Sequence, residues 1–95
     1  MRYAYNEIGG LINGVIIFFE KGDEEIAEET LRVVDASDQR PTGIVRDSPE
    51  FVVGIRLTTD EDRLLKQVLD FFKEDYPALT PIAEEIDDKV FGTPN

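Results

Sequence analysis

The chain has 95 residues, of which 41% are hydrophobic, and its formal net charge is −11. This length suits one domain with a single core, and we treat residues 1–95 as that domain. The charge argues against direct binding of nucleic-acid backbones, which depends on clustered Lys and Arg. Cysteine and histidine are both absent, so disulfides, thiolate metal sites and the commonest acid–base catalyst are excluded.

Two features of the N-terminal region bear on localisation. The first residues lack the basic start and long apolar core of a signal peptide. Residues 8–19 are mostly apolar, but they number only 12 and include three glycines. A helix that crosses a bilayer needs about 20 residues. We therefore expect a cytoplasmic protein that does not bind membranes.

The longest unbroken apolar run is Val15-Ile16-Ile17-Phe18-Phe19. A strand with both faces covered has this pattern, whereas a half-exposed strand alternates apolar and polar residues. We predict that residues 15–20 form a central strand. Residues 2–8 form the strand before it, and either Gly9-Gly10 or Asn13-Gly14 supplies the tight turn of an antiparallel hairpin.

A second hairpin is predicted from residues 43–46 and 51–58, joined through residues 47–50. Alternation along the longer strand separates its side chains into two faces. The set predicted to face the core is Phe51, Val53, Ile55 and Leu57. The opposite set is Val52, Gly54, Arg56 and Thr58.

Three helices are predicted from apolar residues at helical spacing. The first follows Gly22-Asp23, the second follows a Thr59 N-cap with Asp62 three residues on, and the third starts at Thr80-Pro81. Their buried stripes are predicted to be Ile26, Ala27, Thr30, Leu31 and Val34; Leu64, Leu65, Val68, Leu69 and Phe72; and Ile82, Ala83, Ile86 and Val90.

The element order is thus β-β-α-β-β-α-α. A right-handed crossover followed by a hairpin places strands 15–20 and 51–58 at the centre of the sheet, parallel to each other, with the other two strands at its edges. This predicts an α+β two-layer sandwich whose four-stranded, mostly antiparallel sheet is a permuted ferredoxin-like sheet. Both long helices cover one face, and the last helix or another subunit covers the second face.

The charges are unevenly distributed between these predicted layers. Residues 1–22 and 36–58 contain five acids and five bases, whereas the remaining segments contain sixteen acids and five bases. An acidic helical layer and a neutral sheet favour association through the far sheet face. We predict a small acidic, non-enzymatic interaction or regulatory module that forms a homodimer or docks to a partner protein. Its predicted interface residues are Ile16, Phe18, Val52 and Arg56, with Tyr3 and Tyr5 at the rim.

Three alternatives remain open. In the first, carboxylates near the helix starts bind Ca²⁺ or Mg²⁺, and the candidate ligands are Asp23, Glu24, Glu28, Asp60 and Asp62. These acids lack the spacing of an EF-hand loop, and acids are also favoured at helix N-termini for electrostatic reasons. A pocket around Gly54, framed by Tyr3, Tyr5, Arg46 and Arg56, would instead suit a small-molecule sensor. Dense helix acids could also mimic nucleic acid. No nucleophile-elbow or phosphate-loop motif is present, so we expect no enzyme.

Overall fold

The computed structural model describes residues 1–41 and 43–92. It confirms the predicted order of elements. Short 3₁₀ turns, Thr59–Glu61 and Pro77–Leu79, precede the second and third helices. The remaining elements are β1 (Arg2–Ile8), β2 (Leu11–Phe19), α1 (Glu24–Ala36), β3 (Gly43–Arg46), β4 (Val53–Thr58), α2 (Asp62–Asp75) and α3 (Thr80–Phe91).

The sheet has the strand order β1-β2-β4-β3, so the two most apolar strands are central and the predicted edge strands are at the edges. The direction predicted for the central pair was wrong, because β2 and β4 are antiparallel, with Ile17 opposite Ile55. A helical crossover joins parallel strands, so β3 runs parallel to β2. The β3–β4 hairpin then reverses the chain, which makes β4 antiparallel to both. The strand order and connectivity are those of the predicted permuted ferredoxin-like sheet.

The β1–β2 hairpin turns at Gly9 and Gly10, whose φ angles of 60° and 81° suit glycine in a two-residue turn. The alternative dipeptide, Asn13-Gly14, lies within β2. The pairing of β1 with β2 shifts there by one residue, so Asn6 is opposite Gly14 but Glu7 is opposite Ile12. Asn13 is therefore the extra residue of a β-bulge.

The core lies on one side of the sheet. Val15, Ile17 and Phe19 of β2 are fully buried there. The predicted stripes of α1 and α2 are buried against them, and α3 adds Ala83 and Ile86 to the same core. All three helices thus cover one face of the sheet. The last helix does not cover the second face, which settles one of the two alternatives left open by the sequence.

The 3₁₀ turn that leads into α2 is capped one residue earlier than the sequence predicted for the start of the helix. The carboxylate of Glu61 accepts hydrogen bonds from the backbone N–H of Thr58, at 3.0 Å, and from its hydroxyl. Thr58 and Glu61 therefore form the capping box, in place of Thr59 and Asp62. The cap directly joins the end of β4 to the helical layer.

In the segment predicted as the strand 51–58, the alternation of side chains between the two faces does not hold for the first two residues, which precede β4. Phe51 was predicted to face the core and Val52 the far side, but both assignments were wrong. Val52 packs against the core, and the Phe51 ring lies over Gly54 on the other face. The regular strand starts only at Val53, so the two residues before it do not follow the period of two.

Candidate functional site

The side of the sheet opposite the helices is the candidate site, and we call it the open face. Two of its strand residues are arginines and none is acidic, although the whole chain has a net charge of −11. By pairing and alternation, its strand residues are Arg2, Ala4, Asn6, Ile8, Leu11, Gly14, Ile16, Phe18, Gly43, Val45, Gly54, Arg56 and Thr58.

The centre of the open face is apolar. The Phe18 ring packs against the Phe51 ring, with centroids 5.1 Å apart. Phe51 also fills the space above Gly54, since a Cβ atom on Gly54 would lie 2.9 Å from the ring. Beside these rings is a depression of about 290 Å³, lined by Ile16, Phe18, Gly43, Val45, Phe51, Gly54 and Arg56.

The two arginines of the open face differ in their contacts. The Arg2 guanidinium lies 5.7 Å from the centroid of Phe18, and its Nε is 3.5 Å from a carboxylate oxygen of Glu20. Arg56 lines the depression and is exposed, and it forms no ion pair within residues 1–41 and 43–92. The depression therefore combines apolar walls with a guanidinium group that is available to a partner.

Large apolar side chains are exposed at the tip of the β1–β2 hairpin. Ile8 is 63% exposed and Leu11, directly opposite it, is 74% exposed. Alternation along β1 places Ile8 on the same side as Ala4, which is the open face. At the other end of this face Val45 is 55% exposed. The open face thus has a protruding apolar tip and an apolar depression.

The structure does not bring Tyr3 and Tyr5 to the open face, so that placement was wrong. Tyr3 is opposite Ile17 and Tyr5 is opposite Val15, both on the helix side. A two-residue turn without a bulge would have paired Tyr3 with Ile16, on the far side. The extra residue of the bulge moves the register by one and turns both tyrosines over.

The two tyrosines instead link β1 to α3. The Tyr3 hydroxyl donates a hydrogen bond of 2.6 Å to the Glu85 carboxylate, and this bond raises the pKa of Tyr3 to about 12. The Tyr5 hydroxyl is buried without a hydrogen-bond partner among the described residues. Its burial, followed by the charges of Glu85 and Asp88, raises the pKa of Tyr5.

The pocket residues predicted around Gly54 are not brought together. Tyr3 and Tyr5 lie on the helix side, and Arg46 points there too, with its Nη1 atom 3.5 Å from a Glu28 carboxylate oxygen. Of the predicted frame, only Arg56 lines the depression. Phe51 lines the depression and lies over Gly54, but the predicted alternation of faces placed it on the core side.

The predicted cation ligands also do not converge. Arg63, near the start of α2, pairs with Asp38, just after the end of α1, at 3.0 Å. This contact places the start of α2 beside the end of α1, so acids at the two helix starts lie at opposite ends of the layer. Asp60 and Asp62 are therefore far from Asp23.

The α1 ligands have other contacts. Asp23 accepts from the Met1 amine at 2.8 Å, and Glu24 accepts from the Gly22 N–H at 2.9 Å. Over the described part of the chain, no three Asp or Glu side chains are grouped closely enough to hold a metal ion.

No helix in residues 1–41 or 43–92 has the length and apolar character needed to cross a membrane. Comparisons with protein-family models, curated proteins and solved structures gave no match to this chain.

Proposed function

We propose that the protein is a non-enzymatic interaction module that binds another protein chain through its open face. The observation that supports this is the uncovered apolar centre of the sheet, where Ile16, Phe18, Phe51 and Val45 surround a depression. Covering apolar surface is favourable by roughly 25 cal/mol per Å². Exposed apolar patches on a folded domain are typical of interaction sites.

The arrangement of polar groups supports the same proposal. Arginine and aromatic residues are enriched in protein interfaces and often dominate their binding energy. Here Arg2 and Arg56 flank Phe18 and Phe51 on a face whose strand residues include no acid. The acidic helices lie on the opposite side of the sheet. A partner that approaches the open face therefore avoids most of the negative charge.

A small-molecule sensor fits the open face less well. Ligand pockets usually enclose about 300–1,000 Å³ and bury most of their ligand. The depression has about 290 Å³, and Phe51 already occupies the space above Gly54. It is better suited to receive one apolar side chain of a partner protein than to enclose a free ligand.

The experiment compares the wild type with Phe18→Asp, Val45→Asp and the control Gln67→Asp. Phe18 and Val45 lie on the open face, whereas Gln67 is exposed on α2. Circular dichroism first establishes that each variant is folded. Light scattering over a concentration series then measures self-association, and immobilised protein measures retention of partners from an extract of the source cell.

We expect association to be lost in both open-face variants and kept in Gln67→Asp. Val45→Asp is the safer test of the two, because Val45 is already more than half exposed on an edge strand. If both open-face variants are folded and associate as the wild type does, the proposal is wrong.

A further inference from the structure

We propose that the open face binds an extended, acidic peptide segment of a partner protein, which adds to the sheet as a fifth strand alongside β3. This inference rests on the proposed function and names the chemistry of the partner. The sheet ends at β3, where Ile44 and Val45 are 41% and 55% exposed. An exposed edge strand offers its unpaired backbone groups to another chain, and several peptide-binding domains use this mode of recognition.

The outward backbone groups of β3 belong to Ile44 and Arg46. The Asp47 N–H donates to the Val52 carbonyl oxygen at 3.1 Å, so Asp47 directs its N–H towards the strand that pairs with β3. Alternate residues of an antiparallel ladder face the same partner, so Val45 also bonds to β4, and the two residues between them direct their N–H and C=O groups outward. Neither of these two residues bonds to backbone outside the sheet within residues 1–41 and 43–92. An added antiparallel strand can therefore form four backbone hydrogen bonds here.

The apolar depression adjoins this edge of the sheet. Gly43 and Val45 line it from β3, whereas none of the described residues of β1, the other edge strand, does. In an added antiparallel strand, the residue opposite Val45 belongs to a pair without hydrogen bonds, in which the Cα atoms are only about 4.5 Å apart. Its side chain lies on the open face and enters the depression beside Phe51. The volume of about 290 Å³ suits one large apolar side chain.

Charge complementarity favours an acid at the next open-face position of the peptide. Arg56 is opposite Gly43 in the β3–β4 pairing, is exposed, and forms no ion pair with a described residue. A peptide residue opposite Gly43 is two strand spacings, of about 4.8 Å each, from Arg56, and glycine places no side chain between them. A glutamate at this position can therefore reach the guanidinium group. None of the open-face strand residues is acidic, so none repels it.

The direction of the added strand determines the order of these two side chains. Antiparallel pairing is the more stable kind, and a strand antiparallel to β3 reaches Val45 before Gly43. The recognised pattern is therefore a large apolar residue, a β-forming residue and then an acid. The acidic helices lie on the other side of the sheet, and at 0.15 M salt exposed charges more than about 8 Å apart are largely screened. The net charge of the chain thus does not prevent an acidic peptide from binding.

The probe is the fluorescein-labelled peptide Ser-Thr-Leu-Val-Glu-Thr-Ser, whose leucine, valine and glutamate are designed to lie opposite Val45, Ile44 and Gly43. Fluorescence anisotropy measures its binding to the full chain. N-methylation of the valine removes the N–H that would donate to the Ile44 carbonyl oxygen. N-methylation of the leucine removes an N–H that faces away from β3. The two methylated peptides have the same composition, so the second is a matched control for the first.

We expect the parent peptide and the N-methyl-leucine peptide to bind with Kd below about 1 mM and within about threefold of each other. The N-methyl-valine peptide should bind at least about tenfold more weakly, because it loses a backbone hydrogen bond and its methyl group points at β3. Equal binding of the two methylated peptides overturns this inference, and so does no binding of the parent peptide at about 1 mM. The proposed function fails on a different result, namely unchanged association of Phe18→Asp and Val45→Asp.

Charge exchange tests the contact with Arg56. A peptide with lysine in place of glutamate should bind the wild type at least about threefold more weakly, and Arg56→Glu should reverse this preference. Circular dichroism establishes that the variant is folded, as expected for an exposed position. The control Lys89→Glu, at an exposed position on α3, changes the net charge equally and should keep the wild-type preference. An Arg56→Glu protein that still prefers the glutamate peptide overturns the inference.

Discussion

Replacing Gly14 with alanine should destabilise the fold more than any other single added methyl group in the sheet. A Cβ atom at this position would lie 2.3 Å from the Leu57 carbonyl oxygen and 2.8 Å from the Thr58 Cα atom. Both are backbone atoms of the central strand β4, so neither can rotate away as a side chain would. The Gly14–Thr58 pairing would have to separate, and Thr58 also caps the turn that leads into α2.

Overpacking a core lowers the free energy of unfolding by about 1–3 kcal/mol. Because two backbone atoms would clash with the added Cβ, we expect Gly14→Ala to lie near the upper end, at about 3 kcal/mol. For a domain of this size each kcal/mol lowers Tm by about 4–8 °C, so we expect a decrease of about 12–24 °C. Urea unfolding followed by circular dichroism measures the change as a lower midpoint at constant slope.

The matched control is Gly43→Ala in β3, where no described residue other than a chain neighbour has an atom within 4 Å of the added Cβ, and φ is not in the left-handed region. This variant should be as stable as the wild type, or more stable by about 0.4–1 kcal/mol through the unfolded chain. A Gly14→Ala protein within about 0.5 kcal/mol of the wild type would refute the argument, because it would mean that β4 does not press against the bulge.

Three further predictions concern the tyrosines and the acids. Hydrogen bonds to Glu85 and Glu29 raise the pKa values of Tyr3 and Tyr76 to about 12. The stability that these hydrogen bonds add is therefore complete below pH ~10 and is lost as the pH rises towards about 12. Ultraviolet titration, and unfolding of the wild type, Tyr3→Phe and Tyr76→Phe at several pH values, will test this. Tyr5→Phe removes a buried hydroxyl without a described partner and should raise stability by up to about 1 kcal/mol in urea unfolding; a loss of stability would reveal an unrecognised partner. Titration with Ca²⁺ or Mg²⁺ should give small, uniform amide shifts, since the acids of the two helix starts lie apart; saturable shifts confined to one cluster would support the cation-binding alternative.

The parts of the fold that could be predicted are those set by a long, one-sided apolar pattern. The stripe of α2 has five apolar residues at helical spacing, and all five are buried. The run from Val15 to Phe19 required a central strand, and β2 is central because β1 and β4 pair with its two edges. In both cases burial of apolar surface dominates over local preferences, so the apolar pattern of the sequence is sufficient to predict the element and its position.

The face of β1 could not be predicted, because its register depends on one extra residue in the partner strand. Tyrosine tolerates either face, since its ring suits the core and its hydroxyl suits water. The side-chain pattern of β1 is therefore compatible with either of two registers that differ by one residue. The bulge at Asn13 decides the register, and Asn13-Gly14 is itself a dipeptide typical of tight turns, so the sequence leaves it and Gly9-Gly10 as alternatives for the turn.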